Sequence, residues 1–224
     1  MTYKIRHFIV GALACLSPLL FTACSSDDDT TVIAPTASGT MQDLNGNTYR
    51  WVRIDTLDWM AENLRAGTRW YRQGSKFSWA DSTECANVFA EMGNYYSLLE
   101  ALAQCPDGWR LPTDDDWKSL ERACGMSREQ AEAVGWRKGA GRRLVSPETI
   151  GLCFGGELAA YYTAYVELYH PYEYGLYWSQ TPASDVMSPN AYIRKVTPAL
   201  DEVQRIPAPA TSRWLSVRYV RTAK

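Results

Sequence analysis

The sequence predicts an α+β domain, and three observations carry that expectation. A tight hairpin signal opens the folded region, capped helical segments occupy its middle, and proline-punctuated β-rich runs fill its second half. The hairpin comes from Thr40 to Leu44 and Tyr49 to Ile54, which flank Asn45-Gly46-Asn47. Asn-Gly supplies the positive φ angles that a tight hairpin turn needs. A short helix follows from Tyr96 to Gln104, with Leu98, Leu99 and Leu102 expected on one side. Pro106-Asp107-Gly108 then turns the chain into Trp109-Arg110-Leu111-Pro112.

Thr113 is a good N-cap for the next helix. Asp114, Asp115 and Asp116 fill its first turn, where the helix dipole favours negative charge. Trp117, Leu120 and Cys124 recur at helical spacing until Gly125 ends the run. Ser127 with Gln130 forms a second capping box and opens a helix toward Val134. Strands are expected at Leu176 to Thr181, Ala191 to Val196, Glu202 to Ile206 and Trp214 to Arg221, with Pro207-Ala208-Pro209 as a turn.

The first residues predict where the protein resides. Lys4, Arg6 and His7 lead into an apolar run from Phe8 to Phe21, shorter than the ~20 residues a spanning helix requires. It ends in Phe21-Thr22-Ala23-Cys24, a bacterial lipobox with Phe21 where leucine is usual. Cys24 is therefore the expected lipidation site, and the multiple acyl chains of a lipoprotein anchor it stably. Ser25-Ser26-Asp27-Asp28-Asp29-Thr30-Thr31 is too polar to bury. It resembles the export signal that carries lipoproteins of Bacteroidetes-type bacteria to the outer face of the outer membrane. The expected organisation is a signal peptide over 1–23, an acidic flexible tether over 24–39 and a single domain over 40–224.

Composition fits one globular domain of about 200 residues. The formal charge is −2 before cleavage and more acidic after loss of Lys4 and Arg6, so nothing favours a nucleic-acid partner. Beyond Cys15 and Cys24, an exported chain with Cys85, Cys105, Cys124 and Cys153 predicts two disulfides. Three pairings exist, and spacing favours Cys85 with Cys105 and Cys124 with Cys153. Zinc is disfavoured, because no Cys-x-x-Cys pair occurs and His170 is the only mature histidine.

Several blocks in order carry a family resemblance. They are Asp43-x-Asn45-Gly46-Asn47-x-Tyr49, Trp59-Met60-Ala61-Glu62-Asn63-Leu64, Cys105-Pro106-Asp107-Gly108-Trp109-Arg110-Leu111-Pro112-Thr113 with Trp117, Tyr177-Trp178-Ser179, and Ser216-Val217-Arg218-Tyr219-Val220-Arg221. Over residues 40–222 they resemble the Fibrobacter succinogenes major paralogous domain. The Gly-Trp-Arg-Leu-Pro-Thr block is also similar to the formylglycine-generating sulfatase modifiers. The resemblance implies a C-type-lectin-like domain with antiparallel strands, two or three short helices and long loops. It also implies a cysteine where Tyr219 stands, paired to the position of Cys105; its loss leaves Cys105 to find Cys85 or another partner.

The chemistry narrows from there. No cysteines follow Cys153, as the sulfatase modifiers would require, and no nucleophile elbow accompanies His170, so no enzyme activity is expected. Lectin-type calcium motifs are missing, and the three aspartates read as a helix start rather than a metal site. No cofactor is expected. Trp59, Trp109, Trp117 and Trp178 read as core. The segment from Tyr161 to Trp178 differs, because its tyrosines follow no single period and are interrupted by Pro171 and Gly175. Tyr161, Tyr162, Tyr165, Tyr169, His170, Tyr172 and Tyr174 are the candidate ligand-binding residues, since tyrosine combines a flat apolar face with a hydroxyl.

The expectation is a lipid-anchored surface domain that binds glycans or a protein partner without catalysis. The alternative is a structural or adhesive component of a pilus or outer-membrane complex. Growth with an alkyne fatty acid should label the wild-type chain and leave Cys24→Ser unlabelled. Equal labelling of both would remove the anchor.

Overall fold

A computed structural model describes residues 32–66, 82–159, 167–183 and 190–224. The signal peptide, Cys24 and most of the tether lie outside them. The chain enters the fold before Thr40. Ile33 donates its N–H to the Ala123 carbonyl at 2.9 Å and packs on the core, and strand β1 already spans Ala37–Gln42. It pairs with β2 (Thr48–Ile54) across the expected turn. Asp43 organises that turn: Oδ1 accepts the Asn45 and Asn47 N–H groups at 2.8 and 3.0 Å, and Oδ2 accepts Asn47 Nδ2 and the Tyr49 hydroxyl. Gly46 takes φ 81°, as an Asn-Gly turn requires. Strands β3 (Leu57–Met60) and, from the far end of the chain, β11 (Val220–Thr222) complete an antiparallel sheet of order β1-β2-β3-β11.

The described helices outnumber those expected. Helix α1 (Ser82–Met92), which buries Val88 and Phe89, adds to those expected, although Val88, Phe89 and Met92 stand at helical spacing from Cys85. Helix α2 (Leu98–Ala103) starts at the Ser97/Glu100 capping box. The expected apolar side is corrected here: Ala101 is buried and Leu98 half-buried, while Leu99 is 79% and Leu102 43% exposed. Positions 98 and 101 form one i,i+3 stripe and 99 and 102 another, and only the first faces the core. Helices α3 (Asp114–Ala123) and α4 (Arg128–Glu132) carry the capping boxes read from Thr113 and Ser127, and α5 (Gly141–Val145) buries only Gly141 and Leu144.

A second sheet, β4-β9-β8-β7, contains β4 (Gly135–Lys138), β7 (Gly175–Pro182), β8 (Asn190–Val196) and β9 (Glu202–Pro209). Its strands cover the expected β runs, but β9 continues through the prolines read as a turn. Those prolines are tolerated because β4 pairs only with residues 202–205, leaving the rest of β9 an edge that needs no outward N–H donors. A third, small sheet has β5 (Glu157–Ala159) between β6 (Glu167–Tyr169) and β10 (Arg213–Trp214). The single strand expected over Trp214 to Arg221 is split. Leu215 to Tyr219 pass between sheets, buried throughout, with isolated bridges from Leu215 to Tyr96 and from Ser216 to Tyr177. The architecture is thus mixed, with antiparallel sheets and short helices.

Helix α3 binds these layers. Trp117, 0% exposed, lies 5.0 Å from Trp59 and 6.0 Å from Tyr177, and its indole N–H donates to the Trp178 carbonyl. The neighbouring side of α3 is ionic. Arg194, on β8, bonds Asp114 at 2.8 Å and Glu121 at 2.6 Å; Arg205 reaches Asp114 at 2.7 Å; Arg137 grips both Glu121 oxygens at 2.7 Å. The three aspartates therefore separate in role: Asp114 is buried in this network, Asp115 is exposed, and Asp116 caps the helix and pairs with Arg110.

The cysteines depart from expectation. Cys85 falls on α1, its side chain outside the described residues. Cys124 and Cys153 are not bonded to each other, and Cys105 is also a free thiol. Leu152, rather than Cys153, enters the apolar cluster that contains Cys124. Cys153 instead faces Arg218, whose Nη2 is 3.9 Å from its sulfur. Burial pushes the Cys124 thiol up to about 12 and that of Cys105 up to about 11.

Two outcomes follow. In a non-reduced peptide map Cys124 and Cys153 should be recovered as separate thiols, with Cys124 alkylated only after denaturation; a Cys124–Cys153 cross-link would contradict this packing. For Asp114, burial raises the pKa, but the bonds and charges of Arg205 and Arg194 outweigh it and hold the group at about 2. A depressed folded-state value contributes stability present above the unfolded carboxylate range and lost as pH falls from about 4 toward 2, on the order of 2 kcal/mol. Asp114→Asn should cost about 3 to 5 kcal/mol at neutral pH by leaving buried arginines unpaired. Its melting temperature should also fall less steeply with acid than that of the wild type.

Candidate functional site

Of the tyrosine-rich segment, Tyr161, Tyr162 and Tyr165 lie outside the described residues. The remainder forms the connection from β6 to β7. Tyr177 belongs to the core, 0% exposed, whereas Tyr169 and Tyr174 are half-buried and His170 and Tyr172 exposed. The structure thus keeps Tyr169, His170, Tyr172 and Tyr174 together as one surface.

Local geometry makes this loop unusual. His170 has φ 53° and Tyr172 φ 67°, a left-handed backbone that disfavours bulky side chains. Such residues persist only where the surroundings over-determine them, and they cluster at functional positions. Here a clamp holds them: the Tyr172 N–H donates to the Phe154 carbonyl, and the Gly156 N–H to the Tyr174 carbonyl, each at 2.6 Å. Gly156 permits the approach, since a Cβ there would stand 2.1 Å from the Tyr169 carbonyl oxygen. The Tyr177 hydroxyl accepts from the Cys153 N–H at 2.7 Å and lies 2.9 Å from its carbonyl, tying the clamp to the core.

The rings run in series. Tyr169 and His170 are 6.4 Å apart, His170 and Tyr174 are 5.2 Å apart, and Lys195 Nζ stands 3.7 Å over the Tyr174 ring. Burial lowers the pKa of Lys195. Carboxylates frame the group: Tyr172 donates to Glu91 of α1 at 3.2 Å, Tyr174 donates to Glu157 at 3.3 Å, and His170 Nδ1 lies 3.0 Å from Glu173. This arrangement offers flat apolar faces with fixed polar edges, suited to stacking and hydrogen bonding. Lys195, Glu91 and Glu157 were not found by sequence reasoning, because each reaches the loop from a distant element. The Gly155-Gly156 pair was the one local hint of close backbone approach.

The tryptophans read as core divide: Trp59, Trp117 and Trp178 are buried, while Trp109 is half-buried at the rim of the first sheet. The sequence blocks themselves converge. Arg218, 1% exposed, donates to Asn63 Oδ1 at 2.5 Å and to the carbonyls of Met60, Ile150 and Gly151, so two blocks far apart in sequence share one buried guanidinium. Tyr219, in place of a cysteine, donates its hydroxyl to the Ala101 carbonyl at 2.6 Å and shares an apolar cluster with Cys105.

No curated protein and no solved structure matches the chain. The Fibrobacter succinogenes major domain does, over residues 52–221, a span that contains all of these blocks except the Asp43 to Tyr49 turn. The shared burial of those blocks around Arg218 and the extent of that match together make this chain a member of the Fibrobacter succinogenes major domain family.

Proposed function

We propose that the protein is a surface-anchored, non-catalytic binding domain that recognises glycans or a protein partner, with the loop from Tyr169 to Tyr174 as its recognition surface. The observation that carries this reading is the pair of left-handed residues, His170 and Tyr172. An aromatic surface serving only as cover would gain stability from glycine at these positions. Keeping two ring-bearing residues there costs of order 1 kcal/mol each and instead fixes the rings in place before a ligand arrives. Membership of the family is compatible with this role, the N-terminal lipobox supports a membrane anchor, and the Ser25 to Thr31 segment supports a domain facing the cell exterior. The alternative of a structural or adhesive component draws on α2, where exposed Leu99 and Leu102 would suit contact with a neighbouring subunit.

The test separates binding from stability. Tyr172→Gly relieves the backbone strain, so it should leave the melting temperature unchanged or raise it, by up to about 1 kcal/mol of added stability. Capture of glycans on an array, or of a partner at the cell surface, should nevertheless be lost. Full capture by a Tyr172→Gly chain would exclude the loop.

A further inference from the structure

A second surface, remote in sequence from the tyrosine loop, has a sharper chemical signature. Across the first sheet Arg53 of β2, Asp58 of β3 and Arg221 of β11 stand in register. Asp58 is fully buried beneath the two guanidinium groups: Arg53 holds both its oxygens, and Arg221 Nε donates to Oδ2 at 2.9 Å. Arg221 also lies against two indoles, its guanidinium carbon 5.0 Å from the Trp51 ring centre and 4.6 Å from that of Trp109. Trp51 is itself fixed. Its indole N–H donates to the Thr40 carbonyl at 3.1 Å, and its ring covers Gly39, where a Cβ would come within 2.6 Å.

The consequence is an arginine held against two indoles and with its Nε committed. Its two terminal nitrogens carry no hydrogen bond among the described residues, and its side chain retains 27% exposure. Arg53 is committed further, its Nη1 donating to the Lys224 backbone oxygen at 3.3 Å, so Arg221 is the arginine of this row with terminal nitrogens to offer. A planar, pre-oriented guanidinium fork matches a carboxylate bidentately.

We propose that this row is a binding site for the carboxylate of a uronic-acid residue in an acidic polysaccharide. Arg221 supplies the fork, and the rims of Trp51 and Trp109 supply apolar contact for the sugar ring. A peptide C-terminus fits less well, because that mode relies on free backbone N–H groups. At the β11 edge the Val220 N–H is already taken: Val220 and Arg110 exchange N–H to carbonyl bonds at 2.9 and 2.8 Å. The proposal rests on the glycan side of the reading above but on a different surface, so the two are separable.

Affinity electrophoresis of the full-length chain through polygalacturonate, alginate and hyaluronan provides the test. At least one of these should retard the wild type, while polygalacturonate with its carboxylates methyl-esterified should not. Arg221→Lys keeps the charge but loses the fork, and should weaken retardation about tenfold with an unchanged melting temperature. Trp109→Leu, which removes one of the two indoles against Arg221 at a half-buried ring, should weaken it as well, and Tyr172→Gly should not. The site is overturned if none of the three polymers binds, or if the esterified polymer binds equally. It is also overturned if Arg221→Lys and Trp109→Leu both bind like the wild type, or if Tyr172→Gly alone abolishes binding.

Discussion

The fold depends on the buried ionic contact between α3 and the second sheet. Asp114 and Glu121 sit one helical face apart from Trp117 and Leu120, so the same ten residues present carboxylates to β4, β8 and β9 and an apolar face to the first sheet. Removing charges from water is costly, and such a cluster is tolerated only when nearly every donor and acceptor is matched. The arginines achieve this with fork geometry: Arg194 spans both carboxylates, Arg137 takes Glu121 with two parallel bonds, and Arg205 takes Asp114 likewise while stacking 3.9 Å over Tyr192. An apolar contact tolerates sliding, whereas this one has a single register. Helix α3 is thereby fixed relative to both sheets.

A second buried cation has a different solution. Among the described residues Arg218 hydrogen-bonds no carboxylate, and its guanidinium is solvated instead by Asn63 and the carbonyls of Met60, Ile150 and Gly151. These acceptors come from the end of β3 and the residues just after it, and from the segment after α5, so Arg218 closes the join between the chain's two ends and its middle. The segment it holds continues directly into Cys153 to Gly156, the floor of the tyrosine loop. Rigidity at the loop is thus inherited from the core through Arg218 and the Tyr177 hydroxyl, which is why strained residues can be kept at the surface.

Both candidate surfaces follow one design, in which aromatic rings are held by charged or backbone partners before any ligand is present. In the loop, the backbone clamp at Phe154 and Gly156 sets the rings. On the first sheet, Asp58 and two indoles set Arg221. Pre-organised groups lose less freedom on binding, which favours recognition by small numbers of contacts.

What the sequence by itself determined lies within a few residues of each signal. The Asp43 to Tyr49 turn, the caps at Thr113 and Ser127 and the strands β7 and β8 were legible, because a cap or a tight turn is satisfied by neighbours at i+2 to i+4. The family was legible too, since its blocks are contiguous. The tertiary structure alone decided the rest. It split the last strand, carried β9 through its prolines, turned Leu99 and Leu102 outward and left Cys124 and Cys153 apart. It also separated three consecutive aspartates into a buried ion, an exposed charge and a cap. Each of those outcomes depends on a partner tens of residues away, as with Asp114 and Arg205, and local periodicity carries no information about which distant group will arrive to satisfy a buried charge or cover an apolar face.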